Sequence, residues 1–286
     1  PNSSDVMITV IDFDDADFSY DASGYCVDAA DPSPTVTGLA GGTFSSSPVG
    51  LSMDSATGEI DVSASTPATY TVSYMTAGTC PNSSDVTVTI NDLDDPTFAY
   101  NASMYCVDDV DPTPSISGLN GGTFSSSPVG LSITAITGTV DLSMSMPGVY
   151  TVTYTTAGIC PNSASTTLTI NDLDDASFSY DEAAYCVNDI DPTPTLTGLP
   201  GGVFSSTPAG LVIDSNTGAI DVSASMAGAY TVTYATAGDC PNSFGVNVTI
   251  NDLDDPSFSY DATAYCPDGS FPFPTITGLA GGSFSS

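Results

Sequence analysis

The sequence predicts an all-β chain of tandem β-sandwich repeats, and three observations carry that prediction. First, the string Ile90-Asn91-Asp92-Leu93-Asp94-Asp95 and the residues through Tyr100 return at Ile170 to Tyr180 and Ile250 to Tyr260, with a variant at Val10 to Tyr20. A fixed period of 80 residues is the signature of a repeat array. Second, short runs alternate apolar with Ser or Thr between Gly- and Pro-rich turns, the period-2 pattern of half-buried strands. Third, Cys26, Cys80, Cys106, Cys160, Cys186, Cys240 and Cys266 recur as two per full repeat, 54 residues apart.

The period divides the 286 residues into the last strand of a preceding repeat (1–14), full repeats at 15–94, 95–174 and 175–254, and the start of a further one (255–286). Pro1-Asn2-Ser3-Ser4-Asp5-Val6 matches Pro81 to Val86, so the chain reads as a window cut from a longer array.

Within the 95–174 repeat, Thr97 to Tyr100 is expected as a first strand entered through Pro96. Tyr105-Cys106 then leads into an acidic, Pro-rich loop carrying Asp108, Asp109 and Asp111. Ser115 to Ser117 and Thr123 to Ser125 are strands on either side of the Gly118 to Gly122 turn. Leu131 to Ile133 and Val140 to Leu142 flank Thr137-Gly138 as a hairpin. Val149 to Tyr154 is the strongest strand, with Tyr150, Val152 and Tyr154 on the core face and threonines outward. Thr166 to Ile170 is the last strand and runs into the acidic string. Seven short strands without helical periodicity predict an immunoglobulin-like β-sandwich, although the chain contains no Trp. A β-solenoid would need rungs of about 20–30 residues, and none repeat here.

The charge is one-sided: 34 acidic residues with no Lys, Arg or His. Nucleic acid and anionic lipid are excluded as direct electrostatic partners, because no cationic side chain exists to meet a phosphate. No segment is suited to membrane insertion. The repulsion is relieved only by solvent ions or bound cations, which suits a salty, divalent-rich medium. Catalysis is not expected. There is no His, Lys or Arg to act as base, amine nucleophile or anion clamp, and the carboxylates repeat with the domain period instead of forming a single constellation.

Regular cysteine pairs in small β domains imply disulfides and an oxidising compartment. Metal-type CxxC spacing is absent. Counting leaves two pairings open. Same-repeat bonds (Cys26–Cys80, Cys106–Cys160, Cys186–Cys240) leave Cys266 for a partner outside the window, while Cys80–Cys106 and its copies leave Cys26. The last strand carries the chain away from Cys80, which favours the same-repeat set.

Gly41-Gly42-Thr43-Phe44-Ser45-Ser46-Ser47-Pro48-Val49-Gly50-Leu51, its copies at Gly121 to Leu131 and Gly201 to Leu211, a following Thr-Gly-x-Ile/Val-Asp and then Tyr-Thr-Val-Ser/Thr-Tyr resemble a known repeat type. They are similar to the Ig-like repeats of giant surface adhesins, gliding-associated and filament-forming extracellular proteins of Bacteroidetes, which are type IX secretion substrates. The resemblance spans essentially the whole chain and implies a cell-surface or appendage role. It is silent on ligand.

The candidate site is the junction: Asp12, Asp14 and Asp15, then Asp92, Asp94 and Asp95, Asp172, Asp174 and Asp175, and Asp252, Asp254 and Asp255. Calcium takes six to eight oxygens, and alternating carboxylates on a short linker supply several at once, so Ca2+ is the expected cofactor. The placement resembles the calcium-binding junctions of cadherins, without their Glu-containing partner motifs. Loop acids (Asp28 and Asp31, Asp108, Asp109 and Asp111, Asp189 and Asp191) are expected to add ligands if same-repeat disulfides turn that loop toward the preceding junction. The competing reading is a solvated acidic spacer.

Two functions remain. One is a structural stalk or shaft of an extracellular adhesin or filament, touching other repeats of its own chain and identical chains in a bundle. The alternative is a module binding a glycan or protein. The stalk explains near-identical repeats and a chain without a single trypsin site. The alternative has one hint, the departure Pro267-Asp268-Gly269-Ser270-Phe271-Pro272-Phe273 in the last repeat.

Overall fold

The computed structural model describes residues 4–267, 269 and 271–285. The Pro1-Asn2-Ser3 match and the Asp268 and Ser270 positions of the last-repeat departure lie outside the described residues. Two compact units result: residues up to Tyr105 with Asp109–Ile170, and Cys106–Asp108 with the chain from Asn171 onward. No helix occurs among the described residues.

In the first unit, the opening repeat lays down β1 (Phe18–Ser19), β2 (Gly24–Cys26), β3 (Thr35–Val36), β4 (Thr43–Ser47), β5 (Ser52–Met53), β6 (Ile60–Asp61), β7 (Ala68–Met75) and β8 (Ser83–Asn91). The order β2-β8-β7-β4 forms a four-stranded sheet, and β1-β3 and β5-β6 are two-stranded ribbons. β4, β7 and β8 pair antiparallel, with Phe44 opposite Tyr74 and Tyr70 opposite Val88. β2 joins β8 in parallel, so that Cys26 lies opposite Asn91. That edge strand was not expected from the sequence, which places only a Tyr-Cys pair there.

The alternation along β7 produces the sandwich. Tyr70, Val72 and Tyr74 point inward with Val88 and Ile90 of β8 and Phe44 of β4, and Phe18, Ile60 and Val62 close over them. Each such side chain, taken fully from water, contributes about 1.5–3 kcal/mol before entropy is charged against it. Phe18 meets Phe44 edge-on at 5.4 Å between ring centres, and Phe44 tilts against Tyr74 at 4.6 Å, both favoured aromatic geometries. The tyrosines are therefore core, as the alternation predicts.

Their hydroxyls are satisfied inside. Tyr74 donates to the Leu39 carbonyl at 2.7 Å and accepts from the Gly42 amide at 2.8 Å. A Cβ at Gly42 would sit 2.1 Å from the Met75 carbonyl, so the Gly-Gly turn is a steric requirement of this packing. Burial, and next the nearby Tyr25, push the Tyr20 hydroxyl above its ordinary range.

The same pattern recurs from Phe98–Ala99 to Ser163–Asn171, including the hairpin of Ser132–Ile133 with Val140–Asp141. In the second unit, Phe178, Phe204, Ile220, Val222, Tyr230, Val232, Tyr234, Val248 and Ile250 form an equivalent core. Three X-Pro bonds at equivalent places, Ser47–Pro48, Ser127–Pro128 and Thr207–Pro208, are cis. The chain is thus an all-β array of immunoglobulin-like sandwich repeats.

Candidate functional site at the repeat junction

The three acidic positions of each junction do different work. Asp94 is an anchor. Its amide donates to the Cys160 carbonyl at 2.8 Å. Its Oδ2 accepts from the Thr156 hydroxyl and from the Gly158 amide, both at 2.9 Å. Its own carbonyl accepts from Asn162 Nδ2 at 3.2 Å. Thr156 in turn accepts the Asn162 amide at 2.8 Å, which closes the loop on itself. A Cβ on Gly158 would lie 2.5 Å from both Asp94 carboxylate oxygens, so only glycine admits the contact.

Asp14 repeats the arrangement with Cys80, Thr76 and Asn82. In the second unit Asp174 repeats it with Cys240, Gly238 and Asn242. These partners come from a Thr-Ala-Gly-x-Cys-Pro-Asn motif whose threonine and glycine sequence reading passed over. Its signal was present, since the motif returns at Thr76, Thr156 and Thr236 with the period of the aspartates.

Asp95 is a local turn former. Its Oδ1 accepts the Thr97 amide at 3.0 Å and the Thr97 hydroxyl in a close contact, and its carbonyl accepts the Leu119 amide at 2.7 Å. The Thr97 hydroxyl first, and its amide next, hold the Asp95 carboxyl below the usual range. Asp175 and Asp255 behave alike through Ser177 and Ser257. Asp15 accepts the Asp17 amide at 3.0 Å. Asp92 and Asp172 are exposed and accept from their following Leu amides. Asp12, Asp252 and Asp254 are exposed.

The disulfides overturn the expected pairing. Cys26 bonds Cys160 and Cys106 bonds Cys240, with Cα separations of 5.6 and 5.5 Å. Neither Cys26–Cys80 nor Cys106–Cys160 forms, and Cys80, Cys186 and Cys266 carry free thiols, so Cys186–Cys240 is absent as well. The reason is the parallel edge strand. β2 places Cys26 beside Asn91 at the far end of β8, whereas Cys80 lies in the turn before β8 begins. Eleven residues of extended chain separate those ends, roughly 35 Å, far beyond disulfide reach. Cys160, held at the junction by Asp94, is where Cys26 arrives.

The acidic loop is corrected by the same fact. The Val27 amide donates to the Asn91 carbonyl at 3.0 Å, so the loop leaves from the following junction, not toward the preceding one. Several of its acids are structural: Asp31, Asp111 and Asp191 accept the amides of Val62, Leu142 and Val222. Asp189 accepts the Cys186 amide at 2.6 Å.

Among the described residues, no three junction carboxylates converge within 4.8 Å of one another. In the second unit, Asp172, Asp174 and Asp239 line one open depression beside Cys240. Three Asn side chains are engaged by their neighbours. Asn82 holds Asp14, Asn101 accepts from Tyr105, and Asn247 accepts from Thr231.

No protein-family profile and no curated protein matches this chain. Among solved structures, three titin immunoglobulin domains, I67–I69, share 12% identity at a TM-score of 0.43, over 83% of this chain and 99% of that one. Mouse cadherin-23 repeats EC22–24 share 14% identity at a TM-score of 0.33, over 84% and 100%. Protocadherin gamma B2 cadherin domains 3–6 share 14% at 0.32, over 88% and 77%. At such scores nothing about ligand, ion or partner carries over.

Proposed function

We propose that this chain is a structural segment, the stalk or shaft of an extracellular adhesin or appendage filament that holds a distal region away from its anchor. The repeats then run at 15–94, 95–174 and 175–254, flanked by the parts 1–14 and 255–286. The observation that carries the reading is the Cys26–Cys160 bond beside the Asp94 anchor. A covalent bond and a hydrogen-bonded loop meet at one junction, which is where a stalk must resist bending. Two disulfides also fit an oxidising, extracellular setting. Export in the manner of the Bacteroidetes repeats belongs to the same proposal and rests on the sequence resemblance alone. The repeated sites are occupied by packing and turn formation, so the proposal assigns no catalysis.

Small-angle scattering of the whole chain, oxidised and then reduced, tests it. The expected result is a longer maximum dimension in the oxidised state and a shorter, more flexible particle after reduction. An unchanged profile would remove the junction from the account.

Calcium is a second reading, favoured by the Asp172, Asp174 and Asp239 depression. Asp94 and Asp174 already accept hydrogen bonds from their own loops, so the aspartates fit a loop anchor better than an ion cage. A calcium titration followed by chelation at matched ionic strength decides it: a stabilising shift in the melting point supports the ion, and none removes it. The module-binding alternative is favoured by Phe271 and Phe273, which are 87% and 83% exposed. A glycan-array signal abolished by Phe271→Ala would support it.

A further inference from the structure

We infer that the staggered disulfides give the chain covalent continuity through backbone cleavage, so that one cut anywhere between Cys26 and Cys240 leaves both halves attached. The inference goes beyond the stalk reading and does not need it, because it follows from connectivity. The bond from Cys26 to Cys160 spans every peptide bond between those residues, and the bond from Cys106 to Cys240 spans every one between its own. The two spans overlap from Cys106 to Cys160. Any single hydrolysis in the combined stretch therefore leaves at least one disulfide joining the new carboxylate-ended and amine-ended pieces. Same-repeat pairing would not do this, because each stretch between Cys80 and Cys106, or between Cys160 and Cys186, would be held by a single strand of backbone.

Exposed segments fall in those stretches. Asn101-Ala102-Ser103 and Asp181-Glu182-Ala183 are exposed turns before the edge strands. Such turns are preferred sites of nicking. In this chain they are the places the overlapping bonds protect from separation. The same connectivity limits extension. The shortest covalent path enters to Cys26, crosses to Cys160, returns to Cys106, crosses to Cys240 and leaves, so less than half of the 286 residues lie on it. Pulling on the ends loads the bonds and the 106–160 segment before the remainder can pay out.

The absence of Lys and Arg supplies the test, since one introduced Lys is a unique trypsin site. Ser103→Lys and Ala183→Lys each place it in an exposed turn. Thr263→Lys, beyond Cys240, is the control. Free thiols are alkylated first, and digestion in moderate urea ensures cleavage whatever the fold of each variant. Without reductant, cut S103K and A183K chains are expected to run as one species of full mass plus one water, and to separate into two fragments only after reduction. T263K releases its tail in both states. Separation of S103K or A183K fragments without reductant would overturn the inference, and two variants in different spans keep either from deciding by accident.

Discussion

Asn91-Asp92-Leu93-Asp94-Asp95-Pro96 and Asn251-Asp252-Leu253-Asp254-Asp255-Pro256 are the same six residues in two settings. In the first, Asp94 is held by Thr156, Gly158 and Asn162, and Leu93 is half-buried. In the second, Leu253 is 56% exposed and Asp254 is exposed. What survives in both is the turn: Asp255 still accepts the Ser257 amide, and its carbonyl still accepts the Leu279 amide at 2.7 Å. The third acid of the string is therefore a local device, while the second, at Asp94, is held by residues more than 60 positions further along the chain.

The largest way to break that difference is to remove the bond beside the first string. Cys26→Ser, or reduction, opens a loop of 134 residues. It is expected to cost about 3–5 kcal/mol in the chain-entropy account, read as a lower urea midpoint. Next comes the packing beneath the turn. Tyr154→Phe strips partners from the Leu119 carbonyl and the Gly122 amide and is expected to cost about 1–3 kcal/mol by the same assay. Asp94→Ala removes two acceptor contacts, and about 1–2 kcal/mol is expected. Asp254→Ala should stay within about 0.5 kcal/mol, as exposed positions do. Equal effects at the two sites would erase the contrast.

The smallest effect is acid. Asp95 and Asp175 titrate below the usual range in the folded chain, so their contribution is present above the unfolded carboxylate value, about 3.9, and is lost as pH falls through the folded one. A melting profile should decline below about pH 4, and Thr97→Val, by removing the hydroxyl that lowers Asp95, should make that decline shallower. At the alkaline end, Tyr20, Tyr100 and Tyr180 are raised, chiefly by burial, so stability should fall once the unfolded tyrosines ionise above about pH 10.

The fold class was legible because the repeat's strongest signal is local. Alternation in Tyr150-Thr151-Val152-Thr153-Tyr154 requires a strand with one buried face, and five residues suffice to say so. The edge strand at Cys26 was not legible. Three residues, Gly24-Tyr25-Cys26, carry no period, and their partner lies at Thr89 to Asn91. Missing that pairing also gave each bonded cysteine the wrong partner. The aspartates were found as a set, but their separate roles depend on Thr156, Gly158 and Asn162, more than 60 residues away in sequence. Repetition marks such a loop as important without saying what it touches.

The most direct measurement is a disulfide map of the oxidised chain. Free thiols are alkylated, the chain is digested with chymotrypsin without reductant, and linked peptides are identified by mass spectrometry. The account predicts peptides joining Cys26 to Cys160 and Cys106 to Cys240. A peptide joining Cys106 to Cys160 would contradict it, and with it the closed junction and the continuity of the cut chain.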